Sequence, residues 1–77
     1  MKKLILRIAR MLVDKPECVT ITESGGDQHI VLELQVEKSE MGKVIGKQGR
    51  TARAMRTILS AASAKVRKRT VLEIIED

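Results

Sequence analysis

The chain has 77 residues, with 15 Lys and Arg against 10 Asp and Glu and a net charge of +5. That length makes one domain at most, and it buries only about 60% of the surface of the unfolded chain. Without any Trp, Tyr or Phe the core must be aliphatic, and 43% hydrophobic residues is too much for a disordered tail.

A single Cys, Cys18, excludes an internal disulfide, and no Cys/His cluster suits zinc. The longest apolar runs, such as Leu4-Ile5-Leu6, are too short to span a bilayer. Arg7 interrupts the apolar stretch of Met1–Arg10, which argues against a signal peptide. A single domain over residues 1–77, soluble and cytoplasmic, is expected, with no cofactor, no metal and no membrane contact. An enzyme of this size with no evident cofactor site would be unusual, and no catalytic residue is assigned.

Leu4, Ile5, Ile8, Leu12 and Val13 recur at helical spacing, with Lys3, Arg7 and Arg10 on the other side. Pro16 stops this helix. Val19 and Ile21 alternate with Thr20 and Thr22 as a strand, and Cys18 beside them reads as a partly buried apolar residue. Ser24-Gly25-Gly26-Asp27 is a turn. Ile30, Leu32, Leu34 and Val36 alternate with Val31, Glu33, Gln35 and Glu37, the clearest strand pattern in the chain. The two strands should form a hairpin with one buried face. His29 opens the second strand with no Cys or His partner and is not expected to bind metal.

Ser39 can cap a short helix, with Glu40 in its first turn, running to Val44 or Ile45. A second helix is expected from Gly49 or Arg50 to Ser63. Its wheel places Ala52, Met55, Ile58, Leu59 and Ala62 on one side and Arg50, Arg53 and Arg56 on another. Met11, Met41 and Met55 are expected to fill core or interface gaps. Lys65–Arg69 reads as a basic loop. Val71, Leu72, Ile74 and Ile75 form a third strand that ends in Glu76-Asp77. The order is helix, strand, strand, helix, helix, strand.

Charge is unevenly placed. Between Met41 and Leu72 lie nine basic residues and no acidic one, while the rest of the chain has six basic and ten acidic residues. A solvated helix face is the plain explanation. Self-repulsion does nothing for folding, however, so an anionic partner is the better reason for such a stretch, and nucleic acid is the commonest.

The turn Gly46-Lys47-Gln48-Gly49 lies inside that stretch. Glycine admits positive φ and close approach of another backbone. The N–H groups that open the next helix, with its dipole, suit a phosphate oxygen. Lys47 hangs a mobile charge over the turn, and Lys43, Arg50 and Arg53 are near in sequence. Val44 and Ile45 are expected to present an apolar surface beside it. A helix corner broken by glycine is the alternative for a Gly-x-x-Gly taken alone. Gly42 to Gln48 is not a P-loop: only three residues separate its glycines, and Gln48 follows Lys47 where Ser or Thr is needed.

Val44-Ile45-Gly46-Lys47-Gln48-Gly49-Arg50-Thr51 resembles the signature of the KH domain, a single-stranded nucleic-acid-binding module. The element order is similar to the type II, or prokaryotic, form, and the whole chain resembles the small stand-alone KH proteins of bacteria. The resemblance implies an α+β type II KH fold of order α-β-β-α-α-β, a three-stranded mixed sheet with helices packed on one face. It implies single-stranded RNA held with little sequence preference by a post-transcriptional regulator or RNA chaperone. The implied contacts are Lys43, Val44, Ile45, Gly46, Lys47, Gln48, Gly49, Arg50, Thr51 and Arg53, with the second strand, around Ile30 to Val36, as the opposite wall of the groove. Ala52 departs from the pattern, since many KH domains have a larger aliphatic residue there. The resemblance also implies a homodimer and a larger KH-containing RNA-binding partner, neither of which the sequence itself shows. Two other readings remain open. One is a helix-turn-helix binder of duplex DNA that uses Arg50, Arg53 and Arg56, and the other is a protein-interaction module that docks an acidic partner.

Overall fold

A computed structural model describes residues 1–75 of the chain. Glu76-Asp77, the expected acidic end of the third strand, lie outside the described residues. Helix α1 is Lys2–Leu12, strand β1 Thr20–Gly25 and strand β2 His29–Gln35. Helix α2 is Met41–Ile45, helix α3 Arg50–Lys65 and strand β3 Arg69–Ile74. This is the α-β-β-α-α-β order of a type II KH fold. Short 3₁₀ turns occupy Pro16–Cys18, Lys38–Glu40 and Lys47–Gly49.

The sheet order is β1-β2-β3. β1 pairs antiparallel with β2, from Thr20 opposite Gln35 to Gly25 opposite Ile30. β3 pairs parallel with β2, from His29 beside Arg69 to Leu34 beside Ile74. A parallel neighbour needs a crossover, and α2 and α3 supply it. The sheet is therefore mixed, and β2 is central.

Alternation along the strands decides which face is covered. Ile21, Leu32, Leu34 and Leu72 share one face and are buried, beneath Ile5 and Ala9 of α1 and Met55 and Leu59 of α3. Ile5, Leu32, Leu34, Val44, Met55 and Leu59 are the largest fully buried side chains, each contributing roughly 1.5–3 kcal/mol by burial. The other face is open, and Thr22, Glu33 and Glu73 form one row across it. The helices thus pack on one face and leave an acidic one uncovered.

Several expectations need correction. Ile58, expected on the buried side of α3, is 46% exposed, and Ser63 is buried instead. The α3 stripe follows Ala52, Met55, Leu59 and Ser63, spaced three or four apart, so the face turns away from Ile58. Ser63 is accepted inside because its Oγ lies 2.7 Å from both Leu59 O and Thr70 Oγ1. Met11 is 73% exposed because α1 is already covered on the side of Ile5 and Ala9. Cys18 is exposed because it sits in the 3₁₀ turn, before the strand begins. Ser39 caps nothing: α2 starts after Glu40, without a side-chain cap. Helix α3 runs on to Lys65, and Arg69 belongs to β3 and not to a loop.

Candidate nucleic-acid interface

Helices α2 and α3 meet at Gly46–Gly49. Gly46 has φ 78° and ψ 170°, and Gly49 has φ 74° and ψ 14°. Both are left-handed values that favour glycine. A Cβ on Gly46 would lie 2.7 Å from the Thr51 backbone nitrogen, whereas one on Gly49 would meet nothing within 4 Å. Thr51 is therefore half-buried against the turn and closes it from behind. Gln48 also has positive φ, at 57°, and it is exposed together with Lys47. Two adjacent polar side chains thus project from a sharply bent backbone.

The backbone of the turn is partly self-satisfied. Gly49 N–H donates to Gly46 O at 3.1 Å, and Arg50 N–H donates to Lys47 O. Because a 3₁₀ turn precedes α3, the Gly49 and Arg50 N–H groups are thus already partnered within the turn.

The other expected contacts divide into two groups. Arg50 and Arg53 are exposed on α3, on the side opposite its buried stripe. Ile45 is half-buried, but Val44 is fully buried in the core. That corrects its expected place on the surface: α2 is so short that one of its two neighbouring aliphatics must anchor it. Ala52 is also buried, at 4% exposure.

Lys43 points away from the turn. Its Nζ lies 2.6 Å from Asp14 Oδ2 and 3.3 Å from Glu40 Oε2. Glu40 is buried, and its carboxylate accepts the N–H groups of Asp14 and of Lys15, the latter at 3.0 Å. It thereby closes the chain just beyond α1. The Asp14 N–H is the main reason its pKa lies below the usual carboxylate range, with Lys43 and the Lys15 N–H adding to it against desolvation. Asp14 is lowered as well, by its hydrogen bond and charge contact with Lys43. Lys43 is raised, first by Asp14, with Glu40 adding to it against desolvation. These residues fasten α2, and so the turn, to the end of α1. Sequence reasoning missed this cluster, since Glu40 and Asp14 are 26 positions apart.

Leu32 and Leu34 of β2 share the core with Met55 and Leu59 of α3, and β3 packs closely against α3. Arg56 Nε donates to Leu72 O at 3.3 Å, tying α3 to that strand. Among the described residues no group of His, Cys, Asp and Glu could hold a metal ion, and no helix is long and apolar enough to cross a membrane.

A family model described as KhpA/KhpB, KH domain, matches residues 2–74. The RNA-binding protein KhpA of Clostridium perfringens is 55% identical over 75 residues, covering 97% of this chain and 100% of the relative. The RNA-binding protein KhpA of Aquifex aeolicus is 51% identical, covering 99% of this chain and 96% of the relative. That of Listeria monocytogenes strain EGD-e is 50% identical over 76 residues, covering 99% and 100%. No solved structure matches the chain.

Proposed function

Because the chain belongs to the KhpA/KhpB KH-domain family, we propose that it binds single-stranded RNA, with little sequence preference and without catalysis. It acts as one KH domain in the cytoplasm, as a post-transcriptional regulator or RNA chaperone. The observation that carries this reading is the turn between α2 and α3. There two left-handed glycines bracket exposed Lys47 and Gln48, with Arg50 and Arg53 following on the exposed side of α3. RNA backbone would approach Gly46 and Gly49, while Lys47, Gln48, Arg50 and Arg53 meet phosphates and Ile45 meets a base or sugar. Val44 and Thr51 support the turn from within, and Lys43 holds it to α1. A lack of aromatics removes ring stacking, so aliphatic contact and backbone clamping are the means left.

The reading extends to two protein partners, a second copy and a larger KH-containing RNA-binding protein. Ile58 and Val66, 46% and 53% exposed on and just after α3, support an apolar contact there.

The test is the double variant Lys47→Asp with Gln48→Asp, which keeps both glycines. It should abolish binding to single-stranded RNA with helix content and melting temperature nearly unchanged, and duplex DNA should not compete for the wild-type protein. In the wild type, log K should fall against log salt with a slope of about −2 to −3.5 for three to five phosphate contacts. Unchanged RNA affinity in the variant removes the assignment.

A further inference from the structure

The turn leaves a second basic surface unused. Residues 2–13 contain Lys2, Lys3, Arg7 and Arg10 and no acidic residue. Residues 14–40, which carry seven acidic and two basic residues, separate this segment from the basic stretch around the turn. Helix α1 buries Ile5 and Ala9 in the core, so its other side must face outward. Lys3, Arg7 and Arg10 stand there at spacings of four and three, a rise of about 6 and about 4.5 Å along the axis. They line a shallow groove of about 570 Å³ with Leu6 and Met11. Among the described residues none of the three makes an ion pair or a side-chain hydrogen bond. Their charges are therefore fully available, and Met11, 73% exposed, offers a soft apolar contact between them.

We propose that this outward face of α1 is a second RNA contact, binding phosphates of a strand that extends beyond the turn. The inference rests on the proposed RNA-binding function. An anionic membrane is the weaker occupant, because a helix lying in a bilayer must insert its apolar face, and that of α1 is committed to the core. A strand of about 20 nucleotides spans roughly 68 Å when stacked, well beyond the 35 Å long axis of the molecule. It can reach both surfaces, whereas about four nucleotides fill the turn site alone.

The experiment compares RNA of about four and about 20 nucleotides. The triple variant Lys3→Gln, Arg7→Gln, Arg10→Gln should bind the short RNA as the wild type does. It should bind the long RNA at least about fivefold more weakly, with a salt slope flatter by about 2. Amide shifts in the unmodified protein give a readout that does not depend on the variant folding. Gly46–Gly49 should respond to both RNAs, and Lys3–Met11 to the long one alone. A response at Gly46–Gly49 only, or long-RNA affinity unchanged in a folded variant, overturns the inference and leaves the proposed function standing. No response to either RNA overturns both. A response of α1 to phosphatidylserine vesicles and not to RNA replaces the proposed occupant with a membrane surface.

Discussion

Thr51 stands directly behind Gly46, so close that a Cβ on the glycine would come within 2.7 Å of the Thr51 backbone nitrogen. The two glycines of the turn are therefore not equivalent. At Gly49 alanine suffers only the left-handed backbone, about 1–2 kcal/mol. At Gly46 it meets that strain and a collision with the first turn of α3. Gly46→Ala should lower the melting temperature further than Gly49→Ala and should displace Lys47. Thermal melts of the two variants, paired with RNA titrations, check this ranking; equal losses would mean that Thr51 moves aside freely.

Glu40 and Lys43 lead to an expectation about pH. Asp14 and Glu40 are held below the usual carboxylate range. Their stabilisation is present above the unfolded pKa and is lost as pH falls through the lowered folded value. Lys43 is raised, so its contribution is complete below the ordinary lysine range and fades as pH rises through the elevated folded value. Glu40→Gln keeps one acceptor but turns an amide N–H₂ toward one of the Asp14 and Lys15 N–H groups, which in the wild type bond different carboxylate oxygens. It should lower stability at neutral pH and flatten the acid limb of the stability profile. Lys43→Met should lower stability with RNA affinity per folded molecule nearly unchanged, the reverse of a change at Lys47. Denaturation curves across pH, combined with titrations of the two lysine variants, measure both effects.

Among the described residues, two other than glycine take left-handed backbone, Gln48 and Arg67. Arg67 follows the end of α3, where its N–H bonds Ala64 O at 3.2 Å and Lys68 N–H bonds Ser63 O at 3.0 Å. This is a Schellman cap with arginine in the position glycine usually takes. Arg67→Gly should raise stability by up to about 1 kcal/mol, a gain of about 4–8 °C in melting temperature, without loss of RNA binding. Gln48→Gly should also stabilise but, if the proposed site is right, should weaken RNA binding, because it removes an exposed polar side chain from the turn. A calorimetric scan with an RNA titration for each variant separates a structural left-handed residue from a functional one.

The amino-acid pattern alone determined most of the fold. Alternation at Ile30–Val36 and helical spacing at Leu4–Val13 are local signals, and each element they imply is present. The Gly-x-x-Gly turn was equally legible, because two glycines between helical patterns in an acid-free basic stretch demand a bent, exposed backbone. What only the tertiary structure decided is the division of labour among neighbours in sequence. Lys43 and Lys47 are the same residue type four positions apart, yet the first is spent on Asp14 and Glu40 and the second faces solvent. Val44 is core while Ile45 is half-exposed, and Ser63 replaces Ile58 inside because Leu59 O and Thr70 Oγ1 lie near it. β3 lies beside α3 because the parallel crossover sets it at the sheet edge. Periodicity reports which side of an element is apolar, but partners 26 positions away are brought together by packing, and packing leaves no local mark in the sequence.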